Sequence, residues 1–311
     1  MATPYAYFQK RFVPLPEAKI GIMTHAFLYG TATFEGIRGN WSDEQEQIYL
    51  FRLRDHFQRL HKSCRILRIG LPHSDDELCD ITVKLVEMCG YREDIYVRPI
   101  AYKSSEVIGV RMHDLEDDFL MFVAPFGPYL DVEKGIRCMT SSWRRVPDMG
   151  IPARAKVNGL YVNSALAKTE AQENGFDEAI MLNDDGHVSE GSGENIFLVE
   201  GGRLVTPPVS DNILVGITRD TAIRLARDEL GVETVERQID RSELYVADEC
   251  FMTGTAAHIS AVVDVDRRPI GDGQVGPITA ELQRRYFSVL RGRTEKYDQW
   301  LTAVTPKLVK A

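Results

Sequence analysis

Apolar residues recur at two spacings along this chain, and the switches between them outline its elements. From Leu53 to Leu67 the positions Phe57, Leu60, Cys64 and Leu67 follow a helical period, with Asp55 where a carboxylate favours a helix start. The next stretch, Ser74 to Cys89, predicts a second helix with Ser74 as N-cap and Gly90 just past its end. Ile95 to Tyr102 alternates as a strand does, which puts Tyr96 and Arg98 on one face. Phe119 to Ala124 is a further apolar strand, and residues 5–39 read as short strands and turns. Pro125-Phe126-Gly127-Pro128-Tyr129 then breaks the pattern.

Beyond that break, Arg137 to Trp143 reads as a strand, and a loop through Pro147 and Pro152 leads to Lys156. Tyr161 to Asn174 reads as a helix stopped by Gly175. Ala179 to Leu182, the Asn183-Asp184-Asp185-Gly186 turn and the Gly201-Gly202 turn belong to successive hairpins. Thr218 to Leu230 predicts a helix closed by Gly231, and the free amides at its start, around Ile217 and Thr218, suit an anion. A strand from Glu249 to Met252 leads into Gly254-Thr255-Ala256. A last helix, Ile278 to Leu290, precedes a charged tail expected to pack on the surface.

The pattern predicts two domains, at 1–124 and 136–311, joined by a connection at 125–135. A chain of 311 residues is long enough to give each its own core. A net charge of −9 without a basic block argues against nucleic acid or an anionic membrane as partner. No apolar run reaches membrane-spanning length, and the N-terminus shows no secretory pattern. Five cysteines, an odd number without close pairs, point to reduced thiols and a cytoplasmic protein. The histidine spacings suggest no metal site.

Chemistry concentrates in Ser189-Glu190-Gly191-Ser192-Gly193-Glu194-Asn195-Ile196-Phe197. Gly191 and Gly193 allow a close backbone approach or a positive φ, and Ile196 to Val199 reads as a buried strand. A carboxylate at the mouth of such a strand needs a cationic or proton-donating partner; the other reading is a solvated hairpin. Likewise, Tyr96 beside Arg98 either clamps a carboxylate or stacks at a sheet edge.

A second stretch, Ile151-Pro152-Ala153-Arg154-Ala155-Lys156-Val157-Asn158-Gly159-Leu160-Tyr161-Val162-Asn163-Ser164, narrows the choice. With His25–Gly30, Phe34–Arg38, Tyr96–Pro99, the glutamate stretch, Gly216–Arg219 and Thr253–Ala256, it resembles the branched-chain amino-acid aminotransferases. These are the L-selective branch of the fold-type-IV pyridoxal-phosphate enzymes. The blocks stand in family order across roughly residues 20 to 260.

The resemblance implies an α+β fold, with a small N-terminal domain, a larger β-rich C-terminal domain, and pyridoxal 5'-phosphate between them. It implies that Lys156 forms the Schiff base and moves protons. Glu190 would hold the proton on the pyridine nitrogen through a charge-assisted bond. Tyr161 would donate to the phenolic oxygen, and Leu214 would pack on the ring. Arg59, the Ile217 and Thr218 amides and the Thr255 hydroxyl would take the phosphate. For the substrate it implies the Thr255 and Ala256 loop with Tyr96 at the α-carboxylate. The apolar side chain would meet Phe34, Ile108, Val110, Phe126 and Tyr129, and Arg98 would meet the distal carboxylate of 2-oxoglutarate. Tyr29 would reach into the site of a partner subunit, making a homodimer the minimum assembly.

The implied activity is transfer of the amino group between L-leucine, L-isoleucine or L-valine and 2-oxoglutarate. Phe126 stands where tryptophan occurs in bacterial enzymes, and His258 where an acidic residue is common, so pocket size and polarity stay open. A D-amino-acid or (R)-amine transaminase of the same fold is the nearest alternative. A lyase of the aminodeoxychorismate type and a catalytically silent binding protein are weaker ones.

Overall fold

The computed structural model describes residues 4–127, 130 and 134–306. In the first half the elements are β1 (Tyr5–Phe8), β2 (Arg11–Pro14), α1 (His25–Tyr29), β3 (Ala32–Phe34), β4 (Ile37–Ser42), β5 (Gln47–Phe51), α2 (Leu53–Ile66), α3 (Asp75–Cys89), β6 (Ile95–Lys103) and β7 (Asp117–Pro125). There follow β8 (Ile136–Thr140), α4 (Tyr161–Glu173), β9 (Glu178–Leu182), β10 (Val188–Gly191), β11 (Asn195–Glu200), β12 (Arg203–Thr206), α5 (Ile217–Leu230) and β13 (Thr234–Glu236). The last are β14 (Glu249–Gly254), β15 (His258–Val265), β16 (Arg268–Pro269), α6 (Pro277–Leu290) and β17 (Leu301–Val304).

The chain divides into two compact units. One comprises Met1–Gly127, Ala155–Gly159 and Ser288–Ala311; the other comprises Pro128–Arg154 and Leu160–Phe287. Each is built on its own sheet with helices beside it, an α+β arrangement. The first unit's sheet runs β17-β5-β4-β6-β7-β1-β2, with β3 on β6, and its pairs are antiparallel. The second runs β10-β9-β8-β15-β14-β11-β12-β13, with β16 on β15, and mixes parallel and antiparallel pairs.

Local chemistry explains the helix limits. α3 starts in a complete capping box, with the Glu77 amide on Ser74 Oγ at 3.2 Å and the Ser74 amide on the Glu77 carboxylate at 2.7 Å. It ends where Gly90 turns left-handed, φ +67. α2 has no side-chain cap; it is held by its buried face, Phe57, Leu60 and Cys64, against Leu78, Leu85 and Val97 in the first unit's core. Full burial of a side chain such as Phe57 contributes about 1.5–3 kcal/mol. The second unit's core gathers Ile180, Val188, Ile196, Ile239, Leu244 and Met252.

Two expectations are corrected. The segment expected to hold only strands and turns contains α1, a helix of 5 residues, too short to show a period. The charged tail is not a surface appendage: β17 pairs with β5, Leu301 opposite Phe51, and Val304 is buried. Among the described residues no helix is long and apolar enough to cross a membrane, no metal-binding cluster is found, and the five cysteines are free.

Candidate active site

Within the first unit, residues around Lys156 hang on the N-terminal strands by main-chain bonds. The Lys156 carbonyl accepts from the Phe34 amide at 3.1 Å and from Thr33 Oγ1 at 3.0 Å, and its amide donates to Ser63 Oγ at 3.2 Å. Ala155 and Val157 on either side are buried, so the backbone is fixed and only the lysine stem can move. Its ammonium lies 5.0 Å from the centroid of the Phe34 ring.

Phe34 links the lysine to the expected substrate residues. The Arg98 guanidinium sits 4.3 Å from the Phe34 ring centroid and 5.0 Å from that of Tyr96, and donates to Tyr96 Oη at 3.0 Å. Tyr96 in turn packs on Phe126 at 5.2 Å. The two side chains do share a strand face, and Gly36 makes room for them: a Cβ there would fall 1.8 Å from Tyr96 Oη. Arg98 Nε is buried without an acceptor among the described residues, as befits a group that receives an anion.

Arg59 belongs to a buried triad that sequence reading missed. It grips the Glu35 carboxylate with Nε and one terminal nitrogen, each at 2.7 Å, while His56 Nδ1 donates to the same carboxylate at 2.7 Å. Burial alone would raise the Glu35 carboxyl; the Arg59 charge and hydrogen bonds, with His56, outweigh it and hold it down to about 2. Burial pushes the His56 imidazolium down, against the pull of Glu35. His56 and Arg59 stand one helical turn apart on α2, a spacing visible in the sequence. Their partner lies on the link between β3 and β4 and was not.

In the second unit the glutamate stretch is buried, which excludes the solvated-hairpin reading. Glu190 is 5% exposed and ion-paired to Arg145 at 2.6 Å. It also accepts from Asn195 Nδ2 and the Leu214 amide, each at 3.0 Å. Neither Arg145 nor Asn195 was expected, since nothing local marks a partner so far along the chain. Glu194 meets burial differently: desolvation and then the charge of Glu178 raise it to about 8, so it keeps its proton at neutral pH. Of the two glycines between them, Gly191 does permit a close approach, its Cβ position lying 2.9 Å from the Glu194 carboxylate. Gly193 has neither crowding nor a positive φ.

Leu214 leads through Gly216 into α5, whose first residues are Ile217 and Thr218; no side chain caps this end. A helix start directs its first amides away from the helix body. Thr253, paired with Asn195 across the sheet, leads to the Thr255-Ala256 turn, and Thr253 Oγ1 is buried without a partner among the described residues. Tyr161 opens α4. His258 is 7% exposed and packs on Tyr286 and Phe287, so its imidazole serves the fold around α6. Tyr29, Ile108 and Val110 are exposed in the first unit, and the amide of Gly109, between the last two, donates to Tyr29 Oη at 3.0 Å. Tyr129 lies outside the described residues.

Comparison with known proteins fits this geometry. Residues 32–265 match the amino-transferase class IV family. The chain is 50% identical to a probable branched-chain-amino-acid aminotransferase of Aquifex aeolicus over 97% of both chains. It is 40% identical to the branched-chain-amino-acid aminotransferase of Escherichia coli K12, over 96% of this chain and 97% of that one. Among solved structures, the branched-chain aminotransferase of Thermoproteus uzoniensis with norvaline superposes with a TM-score of 0.92 at 44% identity, over 96% of this chain and 99% of the other. The Thermobaculum terrenum enzyme in its PLP form gives 0.93 at 38% identity, over 97% and 99%. The chain belongs to the branched-chain-amino-acid aminotransferases, within the class IV amino-transferases.

Proposed function

We propose that this chain is a pyridoxal-phosphate-dependent transaminase exchanging the amino group between L-leucine, L-isoleucine or L-valine and 2-oxoglutarate. The observation that carries the reading is Glu190, a buried carboxylate braced by Arg145, Asn195 and the Leu214 amide. Such an anchored negative charge suits a protonated ring nitrogen.

The residues fit the cofactor. Lys156 offers an amine, Tyr161 a phenol and Leu214 an apolar surface, and Arg59, Thr255 and the first amides of α5 each offer donors that suit a dianion. When bound, the cofactor supplies an electron sink for the carbon that loses its proton. Lys156 Nζ would take the substrate α-proton and pass it to the cofactor within the same half-reaction, running that transfer in reverse in the other, while its fixed backbone limits the arc over which the amine moves. Glu190 would hold the proton on the ring nitrogen. Glu35 orients Arg59 by a two-point grip, which fixes the plane of the guanidinium.

One pocket must accept an aliphatic side chain and then an acidic one. Phe34, Tyr96 and Phe126 offer apolar ring surface, joined by Ile108 and Val110. Arg98 lies under those rings and meets the second carboxylate of 2-oxoglutarate when that substrate replaces the first. Tyr96, beside Arg98 on the same strand face, takes the α-carboxylate common to both.

The working unit is a homodimer, a cytoplasmic one. Its support is an apolar edge of a kind monomers seldom expose: Ile22 at 82%, Phe27 at 67%, Ile108 at 81% and Val110 at 79%. Light scattering giving the mass of one chain would sink the dimer. The activity is tested with a panel of amino donors of both hands and 2-oxoglutarate as acceptor. Leucine, isoleucine and valine in the L form should be the best donors; a D-amino acid or an (R)-amine ahead of all of them refutes the reading.

A further inference from the structure

His25 is fully buried at the first position of α1. Its ring bridges two segments: Nδ1 lies 2.7 Å from Thr31 Oγ1 and Nε2 2.8 Å from the Gly109 carbonyl. A carbonyl only accepts, so Nε2 carries hydrogen and donates. The Gly109 amide donates in turn to Tyr29 Oη at 3.0 Å, and the Tyr29 ring packs on the imidazole with centroids 4.7 Å apart. Both main-chain groups of one residue are thus held by two side chains one helical turn apart. Main-chain contacts add to the hold: the His25 amide donates to Ser105 O at 2.9 Å, and Thr24 bridges to Glu106.

The residue so gripped is the tip of an exposed loop. Gly109 has φ +138 and nothing within 4 Å of where a Cβ would stand, so glycine is needed for the backbone angle and not for space. On either side Ile108 and Val110 are the most exposed apolar side chains of the segment. Exposed loop tips ordinarily carry few anchors and open at low free energy. This one is fixed on three sides while its apolar side chains stay outward.

We propose that His25, acting with Tyr29, is a positioning residue for the 107–110 tip: it sets the orientation in which Ile108 and Val110 meet an aliphatic substrate, and thereby the preference for branched aliphatic over dicarboxylic donors. The proposal rests on the reading of Ile108 and Val110 as substrate contacts. Apolar recognition depends on close fit, since a radial gap of about 0.5–1 Å forfeits a quarter to a half of each dispersion contact. A loose tip therefore weakens leucine binding, whereas a donor held by charge at its far end is affected less.

The test compares the parent with His25→Leu, His25→Gln and Ile108→Ala, each loaded with cofactor. In His25→Leu, hydrogen exchange in the peptide covering 104–111 should quicken by about tenfold or more. KM for L-leucine should rise about tenfold, the scale of one misplaced apolar group. The parent kcat, KM for L-glutamate and cofactor affinity by equilibrium dialysis should each change less than about threefold. His25→Gln, whose amide can still donate to the Gly109 carbonyl, should recover most of the protection and the leucine KM. Unchanged exchange in His25→Leu, or equal rises in KM for leucine and glutamate, overturns the proposal. If His25→Leu does not fold, Tyr29→Phe removes the other anchor, and an unchanged exchange rate at Gly109 there overturns it as well. An unchanged leucine KM in Ile108→Ala sinks the contact reading and the proposal with it; a raised one there, without a rise in His25→Leu, overturns the proposal alone.

Discussion

Replacing Glu35 by glutamine removes one negative charge from a fully buried group and should destabilise the protein by about 3 kcal/mol at pH 7. Two routes give that magnitude. The carboxyl falls from 4.5 unfolded to about 2 folded, and at 1.36 kcal/mol per pKa unit this corresponds to about 3 kcal/mol. Independently, removing one partner of a buried ion pair costs about 3–5 kcal/mol, because the other charge stays behind; Arg59, with an 11% exposed side chain, is in that position. The sign follows from the depressed value. The contribution is complete above the unfolded pKa of 4.5 and is lost as the pH falls through that value towards 2. Parent and Glu35→Gln apoproteins should therefore differ most at neutral pH in urea titrations, with similar slopes, and converge as the pH is taken from 5 towards 3. A gap below about 1 kcal/mol at pH 7, or one that stays constant down to pH 3, would show that the triad does not hold Glu35 as its geometry requires.

The other predictions concern the substrate, the lysine and the second buried carboxyl. Arg98→Leu should raise KM for 2-oxoglutarate by about tenfold or more, the scale of a lost hydrogen bond to a charged group, and that for L-leucine far less; equal effects would make Arg98 a support of the strand. Lys156→Ala should lose turnover and the visible absorbance of bound cofactor while melting like the parent apoprotein, and retained absorbance would exclude Lys156. Glu194→Gln should act in the sense opposite to Glu35→Gln. Burial and Glu178 raise Glu194 from 4.5 to about 8, so the parent loses stability as the pH rises from the unfolded value to the folded one and levels off above it, whereas glutamine cannot ionise. The variant should thus gain on the parent between pH 5 and 8 in thermal melts, with no further gain above that, and identical curves across that range would refute the assignment.

What the sequence made legible was whatever depends on near neighbours. The Ser74 cap with Glu77 three residues on, Gly90 at the end of α3, and the alternation that sets Tyr96 beside Arg98 are local signals, and the structure carries each of them. What stayed hidden depends on partners far away in the chain. Glu190 could be read as needing a cation, yet nothing near it names Arg145; Arg59 could be matched to a phosphate site, yet Glu35 and His56, which orient it, carry no mark of that role. His25 is hidden for the same reason, because its value lies in Gly109. The tail was misread because a strand of 4 residues at a sheet edge has too little alternation to stand out from a charged segment.

That edge strand has a consequence for how the protein comes into being. β17 covers β5, and the Arg52 amide donates to the Trp300 carbonyl at 2.6 Å, so a sheet begun by the first fifty or so residues is closed by some of the last. During synthesis β5 stands with its hydrogen-bonding edge uncovered until the segment around Leu301 leaves the ribosome, through the whole time in which the second unit is made. Unpaired edges of this kind invite pairing with another chain. The nascent chain therefore carries the β5 edge unpaired until β17 is made, and β17, a strand of 4 residues, then takes the place of β5 as the shorter edge of the sheet.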